Sequence, residues 1–126
     1  GPVAGVLDWE LCTLGDPMAD LAGVLGYWHD PESVEEEKGD ALITAAEGWL
    51  SQEEMAGLYA DQMGVSLDQV DYYRGWAAWR LACISEGVYA RYLNGQQGEQ
   101  DEELDLDEYK TGVEARAERA AAILGV

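Results

Sequence analysis

Apolar residues along this chain recur mostly three and four positions apart, the spacing of helices with one covered face. After Asp16-Pro17, the residues Met18, Leu21, Ala22, Val24 and Leu25 form such a stripe. Asp16 offers an N-cap acceptor and Pro17 suits the first helical position, so a helix is expected over 17–28. Asp30-Pro31 breaks it, and the acidic run over 32–37 reads as a solvated loop or frayed turn. A further short helix is expected over 41–49.

Three later starts carry a capping box with a hydrophobic staple. Ser51 pairs with Glu54 between Leu50 and Met55, Ser66 with Gln69 between Val65 and Val70, and Asp105 with Glu108 between Leu104 and Tyr109. They predict helices over 52–63, 67–94 and 106–124, with Gly64, Gly95 and Gly125 as left-handed C-caps. The long helix places Tyr73, Ala77, Leu81, Ile84 and Val88 on one face, which is expected to be buried. Arg80 borders that face, where it must snorkel outward or meet a carboxylate inside. The stretch 95–105, rich in Gln, Gly and acids, reads as an exposed loop. Only residues 3–7, Val-Ala-Gly-Val-Leu, look like a strand, and nothing else in the chain offers a strand to pair with it. The expected fold is mainly α, one partial domain over 1–126 with a short N-terminal strand.

Composition narrows the functions available. With 126 residues, 48% of them hydrophobic, the chain can bury a core. Against 7 Lys plus Arg stand 26 Asp plus Glu, a formal charge of -19, and such a field repels nucleic acid and anionic membrane surfaces. No apolar run approaches the ~20 residues that span a bilayer, so a soluble cytoplasmic protein is expected. Cys12 and Cys83 belong to no metal or disulfide pattern and are expected as buried thiols. His29, the only histidine, falls at the end of the first helix, where a surface or helix-terminal cation is expected.

The candidate chemistry lies near the N-terminus. Asp8 and Glu10 are two apart, so an extended backbone would aim both carboxylates to one side, a geometry that can hold Mg²⁺. From spacing alone, solvated acids at a strand end explain them equally well. The longer pattern is more specific. Val6-Leu7-Asp8-Trp9-Glu10, then Gly15-Asp16-Pro17 and Asp20-Leu21-Ala22, resembles the metal-binding motif of the aminoglycoside phosphotransferase and choline kinase-like family, whose fold is similar to that of protein kinases. A second block, from Tyr72-Tyr73-Arg74-Gly75-Trp76 to Tyr92-Leu93-Asn94-Gly95, resembles the branch associated with acyl-CoA dehydrogenases.

That resemblance implies the helical C-terminal part of a small-molecule kinase that moves the γ-phosphoryl group of ATP to a hydroxyl. Asp8 matches the family's aspartate for the Mg²⁺ that bridges the nucleotide phosphates, and Glu10 an acidic position that adds a second carboxylate in some members. Asp20 matches the helix aspartate that braces the catalytic loop. The long helix would line the acceptor pocket, with Tyr73, Trp76 and Arg80 as candidates, although core packing explains them too. Acidity suits a cationic acceptor such as an aminoglycoside or amino alcohol; the dehydrogenase association suits a hydroxyacyl thioester. Arg74, Arg80 and Arg91 offer local charge for the latter.

The sequence departs from the family in lacking the H-G-D-x-x-x-x-N catalytic loop, a glycine-rich phosphate loop and the strand lysine. The chain alone is therefore expected to be inactive, with uncovered apolar surface that favours self-association, by pairing of residues 3–7 between copies. The contrasting reading is a non-enzymatic acidic helical module that binds a basic protein.

Overall fold

In the computed structural model, residues 3–8, 10, 12–30, 43–96 and 105–126 are described. Among these residues the helices are, in order, α1 (Pro17–Gly26), α2 (Gln52–Met63), α3 (Val70–Leu93) and α4 (Leu106–Leu124), with a 3-10 turn at Ile43–Ala45. The mainly helical class holds. The strand expected over 3–7 is not formed: among the described residues there is no strand, and residues 3–8 are all exposed. A strand is stabilised by its ladder, and no described segment supplies one.

Local chemistry explains the helix ends. At α1, Asp16 Oδ1 accepts from the Met18 amide at 2.9 Å and Pro17 fills the first turn, as the sequence predicts. The helix stops at Gly26, two residues early, with amide bonds from Tyr27 and Trp28 to the Val24 and Leu25 carbonyls tightening its end. α2 has the full reciprocal box: Ser51 Oγ accepts from the Glu54 amide at 3.1 Å, and Glu54 Oε2 accepts from the Ser51 amide at 2.8 Å. At α4, Asp105 Oδ1 takes both the Asp107 and Glu108 amides.

The box expected at Ser66 does not cap α3. Its hydroxyl accepts from the Asp68 amide at 3.1 Å instead, which closes a local turn. The helix then begins at Val70, behind a Gln69 that makes no side-chain cap. At the other end, Gly95 (φ 63°) takes the left-handed position, with Gln96 N bonded to Arg91 O and Gly95 N to Tyr92 O. Of the helix expected over 41–49 only the 3-10 turn forms among the described residues, and Gly48 at φ 94° prevents its extension. The acidic run 32–37 and most of the 95–105 loop lie outside the described residues.

The core forms where α1 meets α2 and α3. Met18, Leu21, Ala22 and Leu25 bury the 3.6-period face of α1, and Val24, expected in that stripe, points outward. Ala56 joins this core, and Met55, Tyr59, Val65, Leu67, Val70 and Tyr73 pack around it. α3 and α4 form an antiparallel hairpin: Tyr89 stacks on Tyr109 at 6.4 Å near the start of α4, whereas Gly75 lies against Leu124 at its end.

The buried line of α3 differs from the one expected. Gly75, Ala82 and Ser85 are the buried residues of α3, as Val113 and Ala120 are of α4, while Ile84 is exposed and Tyr73, Ala77, Leu81 and Val88 are half-buried. Small residues win because they let the two backbones approach closely, which bulky neighbours on the adjacent face cannot. Cys12 and Cys83 are exposed, contrary to expectation. Arg80 is also exposed, the outward-snorkelling alternative of the two expected. Among the described residues no helix is long and apolar enough to cross a membrane.

Candidate functional site

The segment that precedes α1 is a run of exposed residues: every described position from 3 to 16 lies at the surface. Within it Asp8 has φ 68°, the only positive φ of a non-glycine residue among those described. Asp tolerates this left-handed state better than most residues, yet it costs free energy that a purely solvated strand end would not require. The chain therefore turns at Asp8. The extended-backbone argument for aiming Asp8 and Glu10 to one side does not apply, although both carboxylates remain exposed.

Among the described residues no group of three His, Cys, Asp or Glu side chains gathers as a closed metal site. Asp8 and Glu10 still fit a magnesium ion by donor chemistry. Mg²⁺ takes hard oxygen ligands, commonly one or two carboxylates, and keeps waters or substrate phosphates in the remaining positions. An all-protein cage is not what such a site needs.

The helices fix the other candidates differently. Asp20 stands exposed in the first turn of α1, one turn after Asp16. Tyr73 is half-buried against the core, and its hydroxyl donates to Asp16 Oδ2 at 2.8 Å. That bond is the main cause that raises the Tyr73 phenol above its ordinary 10.0, since the bonded form must keep its proton. Trp76 is half-buried and Arg80 exposed on the same helix. The structure thus brings Tyr73 to the start of α1.

Sequence reasoning missed a second polar junction. Gln52 donates its amide N–H to Asp30 Oδ1 and its side-chain Nε2 to the Trp28 carbonyl, both at 2.7 Å, and its Oε1 accepts from Arg74. Trp28 Nε1 donates to the Leu50 carbonyl at 2.8 Å, and its ring meets Trp49 edge-on at 5.5 Å. One glutamine therefore joins the exit of α1, the start of α2 and the flank of α3. His29 is half-buried, three residues beyond the end of α1, and its amide donates to Thr44 Oγ1 at 2.8 Å. These partners lie 15 to 24 residues apart, and the sole signal in the sequence was their polar character between helical segments.

Comparison with known proteins adds the family. The sequence model of the phosphotransferase enzyme family matches residues 1–58, the part that holds Asp8, Glu10, Asp16 and Asp20. Acyl-CoA dehydrogenase family member 11 of Mus musculus is 33% identical over 101 residues, 79% of this chain and 13% of that protein. Acyl-CoA dehydrogenase family member 10 of Mus musculus is 39% identical over 97 residues, 75% of this chain and 9% of that protein. The probable acyl-CoA dehydrogenase IBR3 of Arabidopsis thaliana is 34% identical over 100 residues, 74% of this chain and 12% of that protein. This chain spans only a small part of the length of these relatives. No solved structure gives a significant match. The first 58 residues, which carry the aspartate motif, are thus similar to the phosphotransferase enzyme family.

Proposed function

We propose that this chain is the helical, metal-side part of a longer Mg²⁺- and ATP-dependent kinase for a small-molecule hydroxyl. The observation that carries the reading is the coincidence at Asp8. The residue that the family motif assigns to metal is exposed and has a left-handed backbone, a state uncommon outside glycine even though Asp tolerates it better than most residues.

In this reading Asp8 holds the ion against the nucleotide phosphates and Glu10 adds a second oxygen ligand. The bound ion offsets charge on the β- and γ-phosphate oxygens. Asp20 orients the catalytic loop through hydrogen bonds, from a helix whose first turn is fixed by the Asp16 cap. The isolated chain, without catalytic loop or phosphate-covering loop in its sequence, turns over no nucleotide.

The names of the relatives favour a hydroxyacyl-type acceptor over an aminoglycoside or amino alcohol. A charge of -19 opposes an anionic thioester overall, and Arg74 is already engaged by Gln52 and Asp71. Exposed Arg80 and Arg91 on α3 are the cations left to receive it. The test is acceptor-dependent ADP release by the longer protein, with hydroxyacyl thioesters, amino alcohols and aminoglycosides compared in parallel. Release with the first class alone supports the reading; release with a cationic acceptor alone reverses the choice of acceptor, and no release with any class contradicts the kinase.

A further inference from the structure

Two tyrosine hydroxyls converge on the start of α1. Tyr73 of α3 donates to Asp16 Oδ2 at 2.8 Å, and Tyr59 of α2 donates to the Pro17 carbonyl at 3.4 Å. Both rings pack against the core of Met18, Leu21, Leu25 and Ala56. The other oxygen of Asp16 holds the Met18 amide, so one carboxylate joins the helix cap to α3. Asp16 and Pro17 also join the exposed segment that carries Asp8 and Glu10 to the packed helix α1. A phenylalanine would fill the same ring space, so the hydroxyl of Tyr73 is spent on Asp16 alone.

We propose that Tyr73 is a positioning residue for phosphoryl transfer, acting through Asp16 to fix the start of α1 and the approach of the segment that carries Asp8. Tyr73 then differs from the acceptor-pocket residue that its sequence position suggests. The same clamp sets the angle at which α1 presents Asp20, one turn further on. The proposal rests on the reading of Asp8 as a metal ligand, and its test separates the two.

The test uses the longer protein with ADP present and Mn²⁺ as the probe, its binding followed by electron paramagnetic resonance. Wild type, Asp8→Asn, Tyr73→Phe and Tyr72→Phe are compared, together with kcat and acceptor KM. A phenol-to-carboxylate hydrogen bond that is exposed to solvent at a remote joint translates to about a threefold to tenfold effect. Tyr73→Phe is therefore expected to weaken Mn²⁺ binding and to lower kcat by that factor, with acceptor KM unchanged and the Met18 amide exchanging faster. Tyr72→Phe, whose ring flanks Tyr73 edge-on at 5.4 Å, leaves all of these at wild-type values. Asp16→Asn, which keeps an acceptor for Met18, gives the same direction should Tyr73→Phe fold poorly. Wild-type Mn²⁺ affinity in Tyr73→Phe, with affinity lost in Asp8→Asn, overturns the clamp alone. A raised acceptor KM at unchanged metal affinity returns Tyr73 to the pocket. Unchanged Mn²⁺ affinity in Asp8→Asn overturns the metal reading and the clamp with it.

Discussion

Among the described residues, Glu54 and Tyr73 are the two side chains whose protonation the fold visibly biases, in opposite directions. The Ser51 amide, and then its hydroxyl, hold the Glu54 carboxyl below its ordinary 4.5. A depressed folded value means that the stabilisation is complete above the ordinary value and is lost as pH falls through the lowered one. The bond to Asp16 raises Tyr73, so its contribution is complete below 10.0 and is lost as pH rises through the folded value. Thermal melts followed by circular dichroism should show the acid loss in wild type and a smaller one in Glu54→Gln. Ser51→Ala removes the cap and should cost about 1 kcal/mol at neutral pH. A melt of Ser51→Ala that matches wild type would remove the box from the account. At this scale the capping residues were legible because a cap is a local event. The Tyr73 bond to Asp16 was not, since the partners stand 57 positions apart and only the tertiary fold joins them.

Among the elements, α2 and α4 have the bounds that their sequence signals predict, because Ser51 and Asp105 bind amides within their own first turns. α3 begins later because the Ser66 hydroxyl serves a turn. Its buried face was misread for a different reason: apolar periodicity ranks bulk, whereas close packing on α4 selects Gly75, Ala82 and Ser85. A Cβ at Gly75 would stand 2.5 Å from Cγ and Cδ2 of Leu124. Gly75→Ala gains helix propensity of up to ~1 kcal/mol but overpacks the joint by 1–3 kcal/mol as an order of magnitude, so a net loss of about 1 kcal/mol is expected. In a Leu124→Ala background the same change should stabilise, because the obstructing side chain is gone. Urea denaturation of the double-mutant cycle checks this, and additive effects would show that the contact does not limit the packing.

For the whole molecule, the mainly α class and the aspartate motif were legible in the sequence, and the exposed state of residues 3–8 was not. Val3 and Leu7 are exposed, yet a charge of -19 drives copies of the chain apart. Association of the isolated chain should therefore emerge as salt screens that repulsion, on the length scale of about 10 Å at roughly 0.1 M. Sedimentation velocity should show a mean mass that rises with concentration at high salt and stays near monomer at low salt. A monomer under both conditions would contradict it. The role of Asp8 in phosphoryl transfer is tested by transfer of the ATP γ-phosphoryl group by the longer protein, wild type against Asp8→Asn, across a Mg²⁺ series. Mg²⁺-dependent transfer is expected in wild type, with a loss of at least about 10²-fold in the variant; equal rates in the two proteins would overturn that role for Asp8.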